Sequence, residues 1–258
     1  MNVLLIGNGA MGKIVHDKLK DSHQVTVMGN FQNEPVLGPY DFIIDFSHPN
    51  NLPAIVKYVT KNPTPLVIAT TGYDQEQLSQ IESLGTKMPV LFSANFSLGV
   101  ILMNRLVKDM AKTLSDSFDI EVIEKHHHLK VDAPSGTAKM LVNALNEELE
   151  YEIIHGREGM AKRTKKEIGV HTIRGGSIVG EHEVLFAGAD EILSIKHEAL
   201  SKSIFATGAI KGALWLVHQG TGLYNMEDVL FSPTATTPSK PKKIDVDEIV
   251  LKDTQKQA

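Results

Sequence analysis

Two histidines and a lysine that could transfer protons lie close together between residues 124 and 138, in the stretch EKHHHLKVDAPSGTA. His126 and His127 can donate or accept protons near neutral pH. Lys130 follows four residues after His126 and can act as a cationic proton donor. This combination predicts a site that protonates a bound substrate.

The same stretch continues into a predicted helix that runs from Thr137 to about Glu150. Pro134 and Ser135 form the turn before it, so the amides of Gly136 and Thr137, with the threonine hydroxyl, mark the helix N-terminus. The first amides of a helix have no partner inside the helix, and together with the helix dipole they bind carboxylates. The arrangement therefore favours a small anionic substrate.

Two other interpretations of the histidine cluster stay open. One is a metal site, but three consecutive histidines of a regular element cannot all face one ion, because neighbours on a strand point to opposite sides. The chain also has no H-E-x-x-H motif and no cysteine, so we predict no bound metal. The other interpretation is a solvated loop that happens to be rich in histidine.

A glycine-rich loop at the start of the chain predicts a dinucleotide cofactor. Gly7-Asn8-Gly9-Ala10-Met11-Gly12 follows the apolar run 3–6 and precedes a helical stretch. In such a G-x-G-x-x-G loop the first glycine permits a tight turn, the second lets the backbone approach a pyrophosphate, and the third lets the helix pack closely on the strand. A merely structural glycine turn is the alternative.

The choice between NADH and NADPH depends on the end of the second strand, predicted over Gln24 to Met28. An acid there would hold the ribose 2′-hydroxyl of NADH. Gly29 and Asn30 follow instead, and Lys13 could supply a cation to a 2′-phosphate. We expect both NADPH and NADH to be accepted, with NADPH favoured.

Alternating strands and helices predict the elements that position these residues. Strands at 41–46, 65–69 and 89–92 end in small polar segments, as expected for the ligand-binding edge of a doubly wound parallel sheet, although ordinary loop chemistry could also explain them. Beyond residue 98 a mixed α+β pattern begins, with antiparallel strands predicted over 177–187 and 191–197. We therefore expect an α/β protein with a Rossmann-like domain and a smaller α+β domain.

The stretch at 124–138 closely resembles the signature of dihydrodipicolinate reductase, also called 4-hydroxy-tetrahydrodipicolinate reductase, a family of bacterial lysine and diaminopimelate synthesis. Four further motifs follow the family order: GNGAMG at 7–12, ATTG at 69–72, SANFSLGV at 93–100 and IRGGSIVGEHEVLFAG at 173–188. The likeness covers about residues 1–230. It implies a reductase that transfers hydride from nicotinamide C4 to C4 of a dehydrated cyclic imine acid.

The resemblance also implies residue roles. His126 would be the acid/base residue and Lys130 the proton donor. The substrate-binding set would be His127, Ser135, Gly136 and Thr137. The cofactor would be lined by Gly7, Asn8, Gly9, Ala10, Met11, Gly12, Ala69, Thr70, Thr71, Ser93, Ala94, Asn95 and Phe96.

The family pattern implies a nucleotide-binding domain made of residues 1–97 and 205–230, and a substrate-binding and oligomerisation domain over 98–204. It further implies a homotetramer assembled through the second domain, whose sheet we expect to be antiparallel. The chain departs from the family at Met11, where many members have arginine, and at Gly29 and Asn30. It also continues past the usual end as an extension, 231–258, expected to be loosely held.

Bulk properties limit the other classes of function. The formal net charge is −5 over 258 residues and there is no basic patch, so we expect no nucleic-acid partner. The longest apolar runs are far below the roughly 20 residues that cross a bilayer, which predicts a cytoplasmic protein with no membrane partner. A different NAD(P)-dependent oxidoreductase and a non-catalytic nucleotide sensor remain as alternatives.

Overall fold

A computed structural model describes residues 1–29, 31, 38–232 and 244 of the chain. The chain separates into two compact units. The first comprises Met1–Leu98 and the described residues from Ser203 onward, and the second comprises Gly99–Lys202.

Eleven strands and seven α-helices occur within the described ranges. The strands are β1 (Asn2–Ile6), β2 (Gln24–Met28), β3 (Phe42–Asp45), β4 (Leu66–Ile68), β5 (Pro89–Phe92), β6 (Asp119–His126), β7 (Glu152–His155), β8 (Glu167–Arg174), β9 (Glu181–Ala187), β10 (Ile192–Glu198) and β11 (Gly222–Tyr224). The helices are α1 (Ala10–Leu19), α2 (Leu52–Lys61), α3 (Gln75–Gly85), α4 (Leu98–Leu114), α5 (Gly136–Asn146), α6 (Ser203–Leu216) and α7 (Met226–Phe231). A short 3₁₀ helix, Pro49–Asn51, precedes α2.

The first unit is built on a six-stranded parallel sheet in the order β11-β5-β4-β3-β1-β2. Every residue of β3 and β4 is buried, which is expected of parallel strands with helices on both faces. The predicted Rossmann-like sheet is confirmed. The loops that carry the predicted cofactor residues begin where four of its strands end: β1 at Ile6, β3 at Asp45, β4 at Ile68 and β5 at Phe92.

The second unit contains a five-stranded mixed sheet in the order β10-β9-β6-β8-β7. The pairs β6–β9 and β9–β10 are antiparallel, whereas β6–β8 and β7–β8 are parallel. The expectation of an antiparallel sheet is therefore wrong for half of it. Strands β7 and β8 come after α5, and a helical connection of this length allows the chain to return parallel to β6.

Apolar residues of α4 and α5 cover one face of this second sheet. Their side chains form a common core with those of β6, β8 and β9; the fully buried members include Val107, Val122, Leu141, Ile168, Val184 and Phe186. Helix α5 ends at Asn146, earlier than the predicted Glu150, because the Asn146 side chain binds the backbone of Tyr151. Its Oδ1 accepts from the Tyr151 amide at 2.7 Å, and its Nδ2 donates to the Tyr151 carbonyl at 2.9 Å.

The predicted C-terminal extension lies outside the described residues except for Phe231, Ser232 and Ile244. The side chain of Ile244 is buried in the core of the first unit, and its amide donates to Glu82 Oε1 at 2.7 Å. Across the part of the chain that is described, no helix combines the length and the apolar character needed to cross a bilayer.

Candidate active site

The glycine loop of the first unit is shaped by close backbone contacts. Gly7 has φ +112°, and a Cβ on it would lie 2.2 Å from the carbonyl oxygen of Phe46. A Cβ on Gly12 would lie 2.0 Å from the carbonyl oxygen of Gly7. By contrast, a Cβ on Gly9 would have no heavy atom within 4 Å. Gly7 and Gly12 are thus required by the fold, whereas the surface at Gly9 is open to a ligand.

Gly9 is also the N-cap of α1, and as a glycine it has no side chain that could cap the first amides of this helix. Those amides are the groups that bind a pyrophosphate in dinucleotide-binding loops. Asn8 and Ala10, beside Gly9, are exposed. The loop therefore fits the anion that the sequence predicts for it.

A cleft of about 590 Å³ opens beside this loop at the ends of β3 and β4. Met11, Ala69, Thr70 and Thr71 of the predicted cofactor set line it. Its remaining lining residues are Phe46, Ser47, His48, Pro49, Asn50, Gly72, Asp74 and Gln77. The other predicted segment, Ser93 to Phe96, follows β5, and its members do not line this cleft.

The buried carboxyl of Asp45 holds two of the segments that line the cleft. Ser47 Oγ donates to Asp45 Oδ1 at 2.5 Å, and Tyr73 Oη donates to Asp45 Oδ2 at 3.3 Å. The Ser47 amide in turn donates to Thr70 Oγ1 at 2.8 Å. Burial raises the pKa of Asp45 against the opposing effect of these hydrogen bonds.

The segment after β5 is fixed by its own hydrogen bonds. Ser93 Oγ donates to the carbonyl of Asn95 at 2.8 Å, and Asn95 Oδ1 accepts from the amide of Ser97 at 2.8 Å. Phe96 is buried, and Ala94 alone among the four predicted residues is exposed. A Cβ on Gly208 of α6 would lie 1.7 Å from the Phe96 carbonyl oxygen, so α6 packs directly on this segment.

In the second unit His126 is the last residue of β6, on the strand and not in the loop that follows it. Residues two apart on a strand share a face, and β6 buries Ile120, Val122, Glu124 and His126 on the same side. The apolar pair packs in the core. Glu124 and His126 continue that buried face to the end of the strand, where Lys130 and α5 follow.

Glu124 is fully buried and makes hydrogen bonds to three other residues, one on its own strand and two on other segments. Its Oε2 lies 2.5 Å from His126 Nδ1, and both of its oxygens accept from Arg174, each at 2.8 Å. Its Oε1 also accepts from the amide of Ser135 at 3.0 Å. Burial raises the pKa of Glu124, but these donors outweigh it and the pKa is lowered, so Glu124 is a carboxylate.

The imidazole of His126 is neutral near pH 7. Burial lowers its pKa, and the opposing influence of Glu124 does not restore it. A Cβ on Gly180 would lie 3.1 Å from His126 Nε2, so this ring nitrogen lies beside a residue without a side chain. His126 can therefore accept a proton on Nε2.

Lys130 lies in the loop after β6 and is held by Asp132. Its Nζ donates to both carboxylate oxygens of Asp132, at 2.7 Å and 2.9 Å, and its amide donates to the carbonyl of His127 at 3.1 Å. Burial raises the pKa of Asp132, but Lys130 outweighs it and the pKa is lowered. Arg174 Nη2 donates to the Asp132 carbonyl at 2.6 Å, which connects this loop to β8.

The helix start is placed as the sequence predicts. Ser135 is the N-cap of α5, and its Oγ accepts from the amide of Ala138 at 3.2 Å. Gly136 and Thr137 are the first two residues of α5. Gly136 is exposed, so its backbone is accessible to a ligand. His127 is partly buried, and its Nδ1 is buried with no hydrogen-bond partner among the described residues.

His182 of β9 completes the cluster. Its Nε2 lies 3.0 Å from Ser135 Oγ, and its ring lies edge-on to that of His126, with centroids 5.2 Å apart. Burial lowers the pKa of His182 to about 4, and His126, once it is protonated in acid, adds to this shift. His182 is therefore a neutral support for the helix N-cap at pH 7.

Ligand atoms of Glu124, His126 and His182 lie within 4.8 Å of one another, so the trio could in principle hold a cation. Both oxygens of Glu124 already accept hydrogen bonds, and each of them accepts one from the guanidinium of Arg174. A bound cation would have to displace that guanidinium. The geometry favours a hydrogen-bonded cluster.

Acid is expected to destabilise the protein by about 3 kcal/mol through His182 alone between pH 6.5 and about pH 4. The unfolded imidazole binds a proton near pH 6.5, whereas the folded one stays neutral to about pH 4, so the unfolded state binds more protons throughout this window. Urea unfolding of the wild type and His182→Gln at pH 7 and pH 4.5 measures this effect. Because the measurement stops at pH 4.5, the wild type should lose about 2 kcal/mol more than the variant. Equal losses would contradict the account.

Four residues of this site were not predicted from sequence: Glu124, Asp132, Arg174 and His182. Glu124 could have been found from the sequence, because it lies two residues before His126 and residues two apart on a strand share a face. Arg174 and His182 lie within the motif at 173–188, but their distance along the chain from Glu124 and Ser135 hides the contacts.

Comparisons with known proteins show the family to which the chain belongs. The family model "Dihydrodipicolinate reductase, N-terminus" matches residues 1–96, and "Dihydrodipicolinate reductase, C-terminus" matches residues 99–230. A protein from Brachyspira hyodysenteriae named 4-hydroxy-tetrahydrodipicolinate reductase is 47% identical over 235 residues, covering 89% of this chain and 100% of the relative. One of the same name from Clostridium tetani is 42% identical over 251 residues, covering 90% of this chain and 98% of the relative.

A solved structure gives the same fold. Dipicolinate-bound dihydrodipicolinate reductase from Paenisporosarcina sp. TG-14 superposes with a TM-score of 0.70 at 20% sequence identity. The match covers 87% of this chain and 97% of that one.

Proposed function

The chain belongs to the dihydrodipicolinate reductase family and is an oxidoreductase, and we propose that it uses NAD(P)H to reduce the dehydrated form of (2S,4S)-4-hydroxy-2,3,4,5-tetrahydrodipicolinate. The product is (S)-2,3,4,5-tetrahydrodipicolinate, a precursor of diaminopimelate and lysine. The family matches confirm the resemblance seen in the sequence. One observation carries the proposal: a carboxylate-anchored histidine, His126, lies beside the N-cap of a helix that can bind an anion.

The substrate would be bound through its carboxylates on the second unit. The solved relative is described as binding dipicolinate, a ring with two carboxylates. We assign one carboxylate to His127, Ser135, Gly136 and Thr137, because the start of a helix presents amides and a positive dipole end. The exposed backbone of Gly136 supports this assignment.

The cofactor would be bound on the first unit, by the glycine loop and the segments that follow β4 and β5. The open surface at Gly9 and the absence of a side-chain cap on α1 fit a pyrophosphate. A bound nicotinamide supplies a hydride, which the family reaction places on C4 of the substrate ring.

Lys130 and His126 would handle the proton and the charge. Hydride addition to a conjugated C=C–C=N system pushes electron density toward the nitrogen, and a cation near the ring stabilises it. We assign Lys130 as the proton donor to the ring carbon next to C4, which restores a C=N product. His126, neutral and able to accept on Nε2, would be the acid/base residue of the same site.

The ratio of kcat/KM for NADPH over NADH is expected to lie within about tenfold, which corresponds to about 1.4 kcal/mol. Met28 is a buried apolar residue at the end of β2, and Gly29 follows it, so neither residue offers a charge to a 2′-phosphate. Asn30, also part of this prediction, lies outside the described residues. Steady-state kinetics with each cofactor at saturating substrate give the ratio. A preference of thousands would mean that a cation, such as the exposed Lys13, recognises the phosphate.

Turnover separates this function from its alternatives. The substrate is generated by its synthase, and NADPH consumption is followed by absorbance. Fast turnover supports the proposal. A faster reaction with a 2-oxo acid and ammonia, the oxidised substrates of an amino-acid dehydrogenase, would favour a different oxidoreductase. Tight NADPH binding without any turnover would favour a nucleotide sensor.

We further propose that the second unit mediates a homotetramer. Ile192 and Leu193 of β10 are exposed large apolar residues, and within the described residues β10 pairs with β9 alone. An apolar edge strand of this kind is stabilised when a partner covers it. A cytoplasmic location stays a prediction from composition.

A further inference from the structure

We propose that Glu124 is a positioning residue for the reaction: it sets the proton tautomer of His126 and ties this histidine to the start of the carboxylate-binding helix. The proposal rests on the function proposed above. It assigns a role to a residue that neither transfers a proton to the substrate nor binds it.

The contacts of Glu124 connect three separate parts of the second unit. The carboxylate extends from β6 and accepts two parallel hydrogen bonds from the guanidinium of Arg174 on β8. It also accepts a hydrogen bond from the amide of Ser135, just before α5. Bidentate arginine–carboxylate pairs are strong and have a defined orientation. A fully buried carboxylate needs such partners, because its desolvation is otherwise too unfavourable. Glu124 is therefore held in one place.

The bond to His126 then determines where the imidazole proton lies. A carboxylate can only accept hydrogen bonds, so the nitrogen that faces it, His126 Nδ1, must carry the hydrogen. In a neutral ring the other nitrogen, Nε2, is left as the acceptor. Nε2 lies beside Gly180, where the absence of a side chain leaves room next to the ring.

Arg174 extends the same support to Lys130. Its Nη2 atom donates both to Glu124 Oε1 and to the carbonyl of Asp132, whose carboxylate holds Lys130 Nζ. One carboxylate and one guanidinium thus fix the assigned acid/base residue, the assigned proton donor and the first turn of α5. Loss of Glu124 should disturb proton transfer and substrate binding together.

Glu124→Gln tests this role, because it keeps the size of the side chain and removes its charge. We expect kcat to fall by about 10²-fold, since positioned proton transfer contributes about 10² to 10⁴-fold. KM for the substrate should rise, and NADPH affinity should stay unchanged. The limb of the kcat/KM pH profile that reports His126 should move to lower pH, because the carboxylate that favours the imidazolium is gone.

Glu121→Gln is the matched control. Glu121 is on the same strand, three residues earlier, and it also binds a histidine and arginines: His171 Nε2 at 2.7 Å, Arg163 Nε at 3.1 Å and Arg157 Nη2 at 3.0 Å. This variant removes a similar network that has no contact with His126. It should keep the wild-type kcat and pH profile.

Imidazole ¹⁵N NMR of the wild type tests the tautomer without any turnover, so it separates this proposal from the proposed function. The proposal requires the Nδ1–H form of His126. An Nε2–H form would overturn it, as would Glu124→Gln with kcat within twofold of wild type and an unmoved pH profile.

If Glu124→Gln does not fold, Arg174→Lys provides a second test, because it keeps the charge but loses the bidentate hydrogen bonds to Glu124. This variant should lower kcat, with a smaller shift of the pH profile. Wild-type kinetics for this second variant would also refute the proposal.

Discussion

Replacing Lys130 with alanine is expected to lower kcat by about 10²- to 10⁴-fold while leaving NADPH affinity nearly unchanged. Lys130 brings an amino group that can donate a proton to the site, and Asp132 holds its Nζ in a defined position. Removal of the side chain deletes both the assigned proton donor and the charge that stabilises the electron-rich ring. Stopped-flow single turnover and fluorescence titration with NADPH give the two quantities.

Lys125→Ala is the control for this experiment. Lys125 is a neighbouring lysine whose Nζ contacts Glu181 Oε1 at 2.5 Å, and it alternates with His126 on β6, so its side chain leaves from the other face. It should retain near-wild-type turnover. A large loss of NADPH affinity in Lys130→Ala, with normal turnover at saturation, would show that this lysine binds the cofactor.

Two alanine substitutions in the glycine loop are expected to fail in different ways. Gly12→Ala should lower the free energy of unfolding by about 1 to 3 kcal/mol and abolish cofactor binding, because its Cβ would lie 2.0 Å from the backbone oxygen of Gly7. Gly9→Ala has space around its Cβ and an ordinary φ of −70°, so it should fold normally. It should still weaken NADPH binding by about tenfold or more, because the pyrophosphate must approach the backbone at this glycine.

Thermal unfolding and NADPH titration of both variants distinguish the two effects. The pair serves as its own control, since each variant adds one methyl group to the same loop. If Gly9→Ala bound NADPH as tightly as the wild type, the pyrophosphate would not rest on this loop. If Gly12→Ala were as stable as the wild type, the close contact between α1 and the Gly7 carbonyl would not be required.

The glycine loop could be predicted from sequence because its contacts are local. Gly7 and Gly12 meet across five residues, and the loop lies between a strand and a helix that are themselves evident from the apolar pattern. The N-terminus of α5 is similar, since Ser135 caps it through the amide of Ala138 three residues later. Such short-range geometry is encoded by residue type and spacing.

The support around His126 could not be predicted in the same way, because its contacts are distant in sequence. Arg174 is 50 residues from Glu124, and His182 is 47 residues from Ser135. These pairs exist because β8 and β9 flank β6 in the sheet, and the parallel return of β8 was not foreseen. Periodicity indicated which residues are buried but not which strands are neighbours.

Transfer of deuterium from [4,4-²H₂]NADPH, which carries the label on both faces of the nicotinamide, to the product tests the central claim most directly. The labelled cofactor is mixed with the enzyme and with substrate generated by its synthase, and the tetrahydrodipicolinate formed is analysed by mass spectrometry and NMR. The account predicts one deuterium per product molecule, at ring C4, and none there when unlabelled NADPH is used in ²H₂O. NADPH consumption that left C4 without deuterium, or no reduced product at all, would contradict it.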